Sequence, residues 1–297
     1  MVKYRIMTRK SFLTALLVLM AVLGAEAQKN NVYKADTVID GNGNKIITVY
    51  SRGTFAEGNG NVVTRDFEVT EFDEISMILP ATVNYTVSDD YTCRVTLDEN
   101  LFEYLDIYEK SGCLKLEMVK TLQQINLMPT KFVIEISAPT IEEITLTGSG
   151  DFCFVTPFEA RKLKITRAGS GEVYFMETTN IRRFSMSIAG SGKLICKDFH
   201  SDYTDVSVAG SGEFVCEHLY ADQANLSVAG SGDIVIEAGT VKSADVSVAG
   251  SGSIETRCQI ESMDYSIAGT GTIEYYGDVK VKGTCMLGKI SRIDSEK

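Results

Sequence analysis

Seven triplets of the form Gly-Ser-Gly or Gly-Thr-Gly set the positions of the side chains in this sequence best able to meet a ligand. Three residues before a triplet stand Ser187, Ser207, Ser227, Ser247 and Ser266; five before stand Asp205, Asn225, Asp245 and Asp264. A repeated hydroxyl either bonds its neighbours as a ladder along a stack or offers a polar surface to a glycan or a partner strand. A repeated carboxylate is the ligand type that Ca²⁺ prefers, and Glu213 and Asp233, one residue past their triplets, add to the stripe. The Gly-Ser-Gly-Asp pieces nevertheless lack the Gly-Gly-x-Gly-x-Asp pattern of calcium-binding β-rolls, and Lys193 and Ser253 interrupt the second column. The expectation is a candidate binding face made of these nine Ser, Asp and Asn residues, with no metal site and no cofactor.

The other reactive types do not converge. Cys93, Cys113, Cys153, Cys196, Cys216, Cys258 and Cys285 contain no C-x-x-C or other metal spacing. Cys196 and Cys216 share one inward position on successive repeats, which suits reduced core thiols better than a bridge; Cys153 and Cys258 read as outward or turn-bound. His200 and His218 stand eight and six residues past their triplets, so they do not superimpose. Arg167 breaks an inward column of Leu, Ile and Val; the expectation is that it snorkels to solvent, with pairing to Glu172 as the alternative. No catalytic residue is assigned.

The elements that must hold these columns follow from the repeat. Triplets open at Gly148, Gly169, Gly190, Gly210, Gly230, Gly250 and Gly269, at intervals of 21, 21, 20, 20, 20 and 19. Apolar residues stand two and four positions to either side, as in Val246, Val248, Ile254 and Val206, Val208, Phe214, with polar residues between them. A period of two with β-branched enrichment means strand, glycine turn, strand. Identical units of constant length can stack on themselves about 4.8 Å apart, each inward side chain on its own kind. The fold class is therefore all-β: a single-stranded parallel β-helix, or β-solenoid, of about 20 residues per coil, right-handed by the rule for parallel crossovers. Propellers and leucine-rich repeats have other periods or patterns.

Residues 1–27 read as a signal peptide: Lys3, Arg5, Arg9 and Lys10, then an apolar stretch from Phe12 to Leu23, then Ala25-Glu26-Ala27 with cleavage between Ala27 and Gln28. That stretch is too short to span a bilayer, and no later run could do so. Residues 28–62 read as a polar leader with a hairpin-like turn at 40–44, residues 63–147 as an irregular β-rich approach to the solenoid, and residues 148–293 as the coils, with 63–293 one continuous domain. Asp98 to Tyr108 is the one expected short helix, with Asp98 as its N-cap. The chain carries 29 Lys and Arg against 40 Asp and Glu, a net charge of −11. Cleavage leaves 25 against 39, or −14. Such a balance argues against a nucleic-acid partner.

GNGNVV at Gly58 to Val63, FDEISMILPATVNYTV, DENLFEYL, APTIEEITLTGSGDF and the AGSG units together resemble one family, the domain of unknown function described as "putative auto-transporter adhesin, head GIN domain". The resemblance runs from Gly58 to Ile293. It implies a parallel β-helix in the envelope of Gram-negative bacteria, with no established catalytic residues and no firm ligand. The sequence contains no translocating barrel.

The functional expectation is an exported, non-enzymatic envelope protein, periplasmic or at the cell surface, that binds an envelope glycan or protein, with a homo-oligomer as a further expectation. The alternative is a polysaccharide lyase or glycoside hydrolase, which rests on the scaffold alone. Coil lengths that vary only from 19 to 21 residues leave little chain for the walls of a cleft.

Overall fold

A computed structural model of the protein describes residues 55–122 and 125–293 in full, and the backbone of the strands Tyr4–Arg5, Tyr33–Ile39 and Lys45–Ser51. The expected cleavage site, Ala27 and Gln28, and the expected turn at 40–44 lie outside the described residues. The chain forms two compact units. One comprises Met1–Asn61, Asp98–Tyr104 and Val119–Thr130; the other comprises Val62–Leu97, Leu105–Met118 and Lys131–Lys297.

The larger unit is a β-solenoid of about eight turns with roughly 20 residues per turn. In Lys193–Gly210, Glu213–Gly230 and Asp233–Gly250 each residue lies in parallel register over its counterpart one coil earlier. Each coil presents three inward-facing stretches, as with Ile234 and Ile236, then Val241, then Ala244, Val246 and Val248, all at most 2% exposed. The corner after the third stretch is the glycine triplet. Its first glycine takes a left-handed φ, +126° at Gly230, and a Cβ there would stand 2.6 Å from the Gly210 carbonyl oxygen. Only glycine permits that backbone and that stacking distance together, so the corner repeats wherever the coil does.

The base of the solenoid follows another path. Glu74–Met77 and Thr82–Val87 form a layer directly under Glu143–Gly148 and Asp151–Phe154, in parallel register. Cys113–Met118 and Phe132–Ala138 then form a second layer beneath that one, also parallel to it. Leu105–Lys110 and Thr92–Asp98 run antiparallel to this lower layer. The chain thus lays its second layer first, reverses to build the one below, and climbs past both to begin the repeats. The antiparallel strands occupy the edge that an open solenoid would leave bare. Aromatic rings fill the adjoining core: Tyr85, Phe152, Phe154, Phe158, Phe175, Phe184 and Phe199 touch in series, with Phe154 and Phe175 stacked at 4.3 Å.

In the smaller unit, Phe55–Glu57 pairs in parallel with Asn126–Met128. Two sequence motifs interlock there. The buried Asp98 carboxylate accepts the N–H of Gly60 (2.8 Å) and of Thr130 (2.6 Å), Asn100 accepts the N–H of Asn59, and Glu99 donates its own N–H to the Asn61 carbonyl. A side chain on Gly58 would collide with the Asp98 carboxylate. The expected helix is shorter than Asp98 to Tyr108: Glu99–Tyr104 is a 3₁₀ turn and Leu105–Lys110 is strand. The backbone of Tyr33–Ile39 and Lys45–Ser51 pairs as an antiparallel hairpin, with Tyr4–Arg5 antiparallel to the second strand.

Candidate functional site

The nine expected face residues come together. Ser187, Ser207, Ser227, Ser247 and Ser266 lie one above the next, as do Asp205, Asn225, Asp245 and Asp264, two residues away on the same outward face. The serines form no ladder among themselves: Ser227 donates to the Val206 carbonyl of the coil below at 3.5 Å, and no bond joins two serines of this column among the described residues. Asn225 donates its side-chain N–H to the Tyr203 hydroxyl at 2.6 Å.

The acids one residue past the triplets hold backbone. Asp151 accepts the Glu172 N–H at 2.9 Å and Asp233 accepts the Ser253 N–H at 3.1 Å and its hydroxyl, each from the coil above. Glu213 pairs with Lys193 at 2.6 Å. Their repetition serves the stack. Among the described residues no three His, Cys, Asp or Glu groups lie close enough together to hold a metal ion.

Arg167 does not snorkel. It is fully buried, its Nε donating to the Gly171 carbonyl at 3.0 Å and its Nη2 to the Gly148 carbonyl at 2.8 Å. The glycine corners supply both the acceptors and the room, since a side chain on Gly171 would collide with Nη2. Burial holds its pKa below the usual guanidinium value, with the Asp151 charge opposing the shift. Nη1 has no partner.

All seven cysteines are free thiols, and Cys196 and Cys216 stack in register in the core. Burial raises the thiol pKa of Cys196 well above the ordinary value, of Cys93 to about 12 and of Cys153 to about 11. Cys258, expected outward or at a turn, is buried instead, within 3.0 Å of the Thr256 hydroxyl. His218 lies over Asp198, with Nδ1 3.0 Å from the carboxylate, and His200 stacks on the Tyr220 ring at 4.6 Å.

One surface escaped the reading of the sequence. Arg161 and Arg182 stand eight residues before their triplets, and Lys162 and Arg183 seven before. In the structure Lys162 lies under Arg183, and Arg161 and Arg182 occupy the same corner of adjacent coils. Their signal in the sequence is the same as that of the serine column, a shared distance from the glycine triplet, only larger. Arg161, Arg182 and Arg183 line shallow depressions shared with Asn180, His200 and Tyr203, and Lys162 stands exposed beside them.

The model of the family described as "Putative auto-transporter adhesin, head GIN domain" matches residues 71–195 and 179–288. No curated protein matches the chain. Among solved structures, the chain is similar to one from Parabacteroides distasonis described as a "putative lipid binding protein", with 31% identity and a TM-score of 0.76, over 82% of this chain and 100% of that one. A putative adhesin from Parabacteroides merdae is 22% identical with a TM-score of 0.72, over 82% and 99% of the two chains. A second from Parabacteroides distasonis is 22% identical with a TM-score of 0.69, over 80% and 100%. The last two carry the fold alone.

Proposed function

Because the chain belongs to the "putative auto-transporter adhesin, head GIN domain" family, we propose that it is an exported, non-enzymatic binding protein of the bacterial cell envelope, its coils a rigid scaffold for a glycan or protein partner. The observation that carries this reading is the division of labour along each coil. Inward columns and glycine corners fix the backbone, and the outward columns, in register over seven repeats, are left as a continuous flat surface. Flat, repeated surfaces suit extended partners, whereas small-molecule sites are concave and few. On the repeat face Asp151 and Asp233 each accept a backbone N–H of the next coil, so they do not stand as the opposed pair that a glycosidase would require. Among the described residues no helix is long and apolar enough to cross a membrane. The segment 28–62 serves as a leader ahead of a solenoid domain that runs from 63 to 293.

A lipid-binding role is the second reading, favoured by the 31% identical structure described in those words. The coil interior is filled by packed side chains, as with Ile234, Ile236, Val246 and Val248 at 0–2% exposure, so a lipid would be held by its headgroup on the outer surface.

The test is binding of the purified protein to an array of bacterial and host glycans, with calcium and again with chelator. Saturable retention on a glycan supports the proposal, and loss on chelation would assign the Asp205, Asn225, Asp245 and Asp264 column to a metal. Shortened oligosaccharides recovered from the array would replace binding with catalysis.

A further inference from the structure

The proposed binding role can be given a place and a chemistry. Arg161, Lys162, Arg182 and Arg183 are exposed on two adjacent coils, and among the described residues none of them makes an ion pair or side-chain hydrogen bond. Lys164, in the next outward column, pairs with Glu143 at 2.8 Å. Like charges directly opposite on paired strands destabilise the sheet, and here two such pairs are stacked side by side. The following coils are the reverse: from Asp198 to Val241 the sequence has no Lys or Arg. Asp202 and Asp222 face the ridge from those coils, but Asp222 is held by Lys242 at 2.6 Å and no cation lies within pairing distance of Asp202. In a chain of net charge −11, four of the 29 Lys and Arg stand together here, and none of the four pairs with a described acid.

The neighbours of the ridge indicate what neutralises it. His200 lines the same depression as Arg161 and Arg182, and its ring is held by stacking on Tyr220 of the next coil, with centroids 4.6 Å and planes 14° apart. Asn180, Glu159 and Ser201 add hydrogen-bonding groups around it. Guanidinium groups take carboxylate or sulfate in bidentate fashion, aromatic faces take the C–H face of a sugar ring, and short polar side chains take its hydroxyls. We propose that this ridge binds an anionic glycan, a polysaccharide bearing carboxylate or sulfate groups, with Arg161, Arg182, Arg183 and Lys162 on the charges and the His200 ring, held by Tyr220, against a sugar ring. The inference rests on the binding role proposed above and assigns its site to the basic ridge.

The test compares the full protein with its R161S/R182S/R183S variant and with an E71Q/D89N control, two exposed acids at the base of the solenoid, on immobilised polyuronate, a sulfated polysaccharide and an uncharged polysaccharide. Anionic phospholipid vesicles and inorganic phosphate form two further arms. The three arginines are exposed, so the variant keeps its far-ultraviolet spectrum and unfolds no earlier than the wild type. The expected result is saturable binding to one or both charged polysaccharides, weakened roughly tenfold or more between about 0.05 and 0.2 M salt. It is reduced at least tenfold in the arginine variant, little changed in the control, and absent on the uncharged polymer. Equal binding by wild type and arginine variant would overturn the site while keeping the binding role. Retention on the uncharged polysaccharide alone would do the same. Binding to vesicles without binding to either charged polysaccharide would overturn the glycan in favour of a lipid headgroup, and displacement by millimolar phosphate would reduce the ridge to a simple anion site. Silence on every surface would overturn both the ridge and the role it rests on.

Discussion

The coils from Lys193 to Gly250 and the layers beneath them from Glu74 to Ala138 build the same kind of core by opposite routes. In the coils every residue rests on the one about 20 earlier, so a single rule repeated generates the stack. In the base the stacking partners are Ile75 with Leu114 and Val83 with Ile134, reached only after the chain has doubled back through two antiparallel strands. The difference teaches that the solenoid requires matched columns and not a sequential path. The repeat is self-templating along its length, whereas an end must be closed by something of another kind.

The comparison breaks most visibly in the aromatic stretch that joins the two regions. Phe154 is 1% exposed, stacked on Phe175 and tilted against Phe158. Phe154→Ala should cost about 3–5 kcal/mol, because no single neighbour can fill the void. Val228→Ala, in a coil whose columns are of small residues, should cost less. Denaturant unfolding of both variants, read as midpoint shifts at constant slope, checks the order. Equal costs would mean that the junction is no more tightly specified than the repeat.

Glycine sharpens the contrast between repeat and turn. Gly230→Val places a branched side chain against the Gly210 carbonyl at a left-handed φ, and should cost about 2–4 kcal/mol. Gly277→Ala also sits at a left-handed φ, +92°, yet meets nothing within 4 Å, and should cost only about 1–2 kcal/mol. Thermal unfolding of the pair separates the strain of the backbone from the collision between coils.

These two classes of residue mark what was legible in the sequence. A constant interval between glycines fixes the stack, and alternation fixes which side of each strand faces inward, so the coils and the serine and aspartate columns could be placed before any coordinates. The base could not, because its register joins residues 39 and 51 apart in the chain by no repeated motif, as Leu114 to Ile75 and Ile134 to Val83. Arg167 was misplaced for a related reason. The pattern of side chains offers only Glu172 to a buried guanidinium, whereas the acceptors it uses are backbone carbonyls turned inward at glycine corners. Asp98 reads as a helix cap because a short run follows it, while its carboxylate is bound to Gly60 and Thr130, 38 and 32 residues away.

Arg167 supplies the next test. Arg167→Ala removes two hydrogen bonds and most of a buried side chain, and should cost about 2–4 kcal/mol. Arg167→Leu restores the column, with Leu146 below and Ile188 above, and should fall within about 1 kcal/mol of wild type. A large loss in both would show that bonding of the Gly148 and Gly171 carbonyls, and not filled space, holds the corner.

The buried thiols set a pH limit on the core. Burial raises Cys93 to about 12, and Cys113, Cys196 and Cys258 also lie above the ordinary thiol value. A thiol that ionises later in the folded chain than in the unfolded one contributes fully below the unfolded value. The contribution is lost as pH rises through the folded value. Stability should be level to about pH 8.5 and then fall, by about 1.4 kcal/mol per unit for each such thiol. Cys93→Val should flatten part of the decline, which unfolding midpoints across pH 8 to 11 would reveal. In native protein the exposed Cys285 should be alkylated first.

The smallest expected effect bears on surface charge, where coils of identical backbone differ most. R161S/R182S removes one stacked like-charge pair from the ridge, and D245N/D264N removes another from the acidic column. Each should stabilise the protein, by about 0.2–1 kcal/mol in dilute buffer, and both gains should vanish near 1 M salt. The ridge variant loses nothing that the fold uses, since neither arginine bonds to another described residue. A destabilised R161S/R182S would show that the arginines support the corner they stand on. A gain equal to that of D245N/D264N would show that their placement is tolerated at a cost the fold itself does not require, which is the signature of a surface kept for a partner.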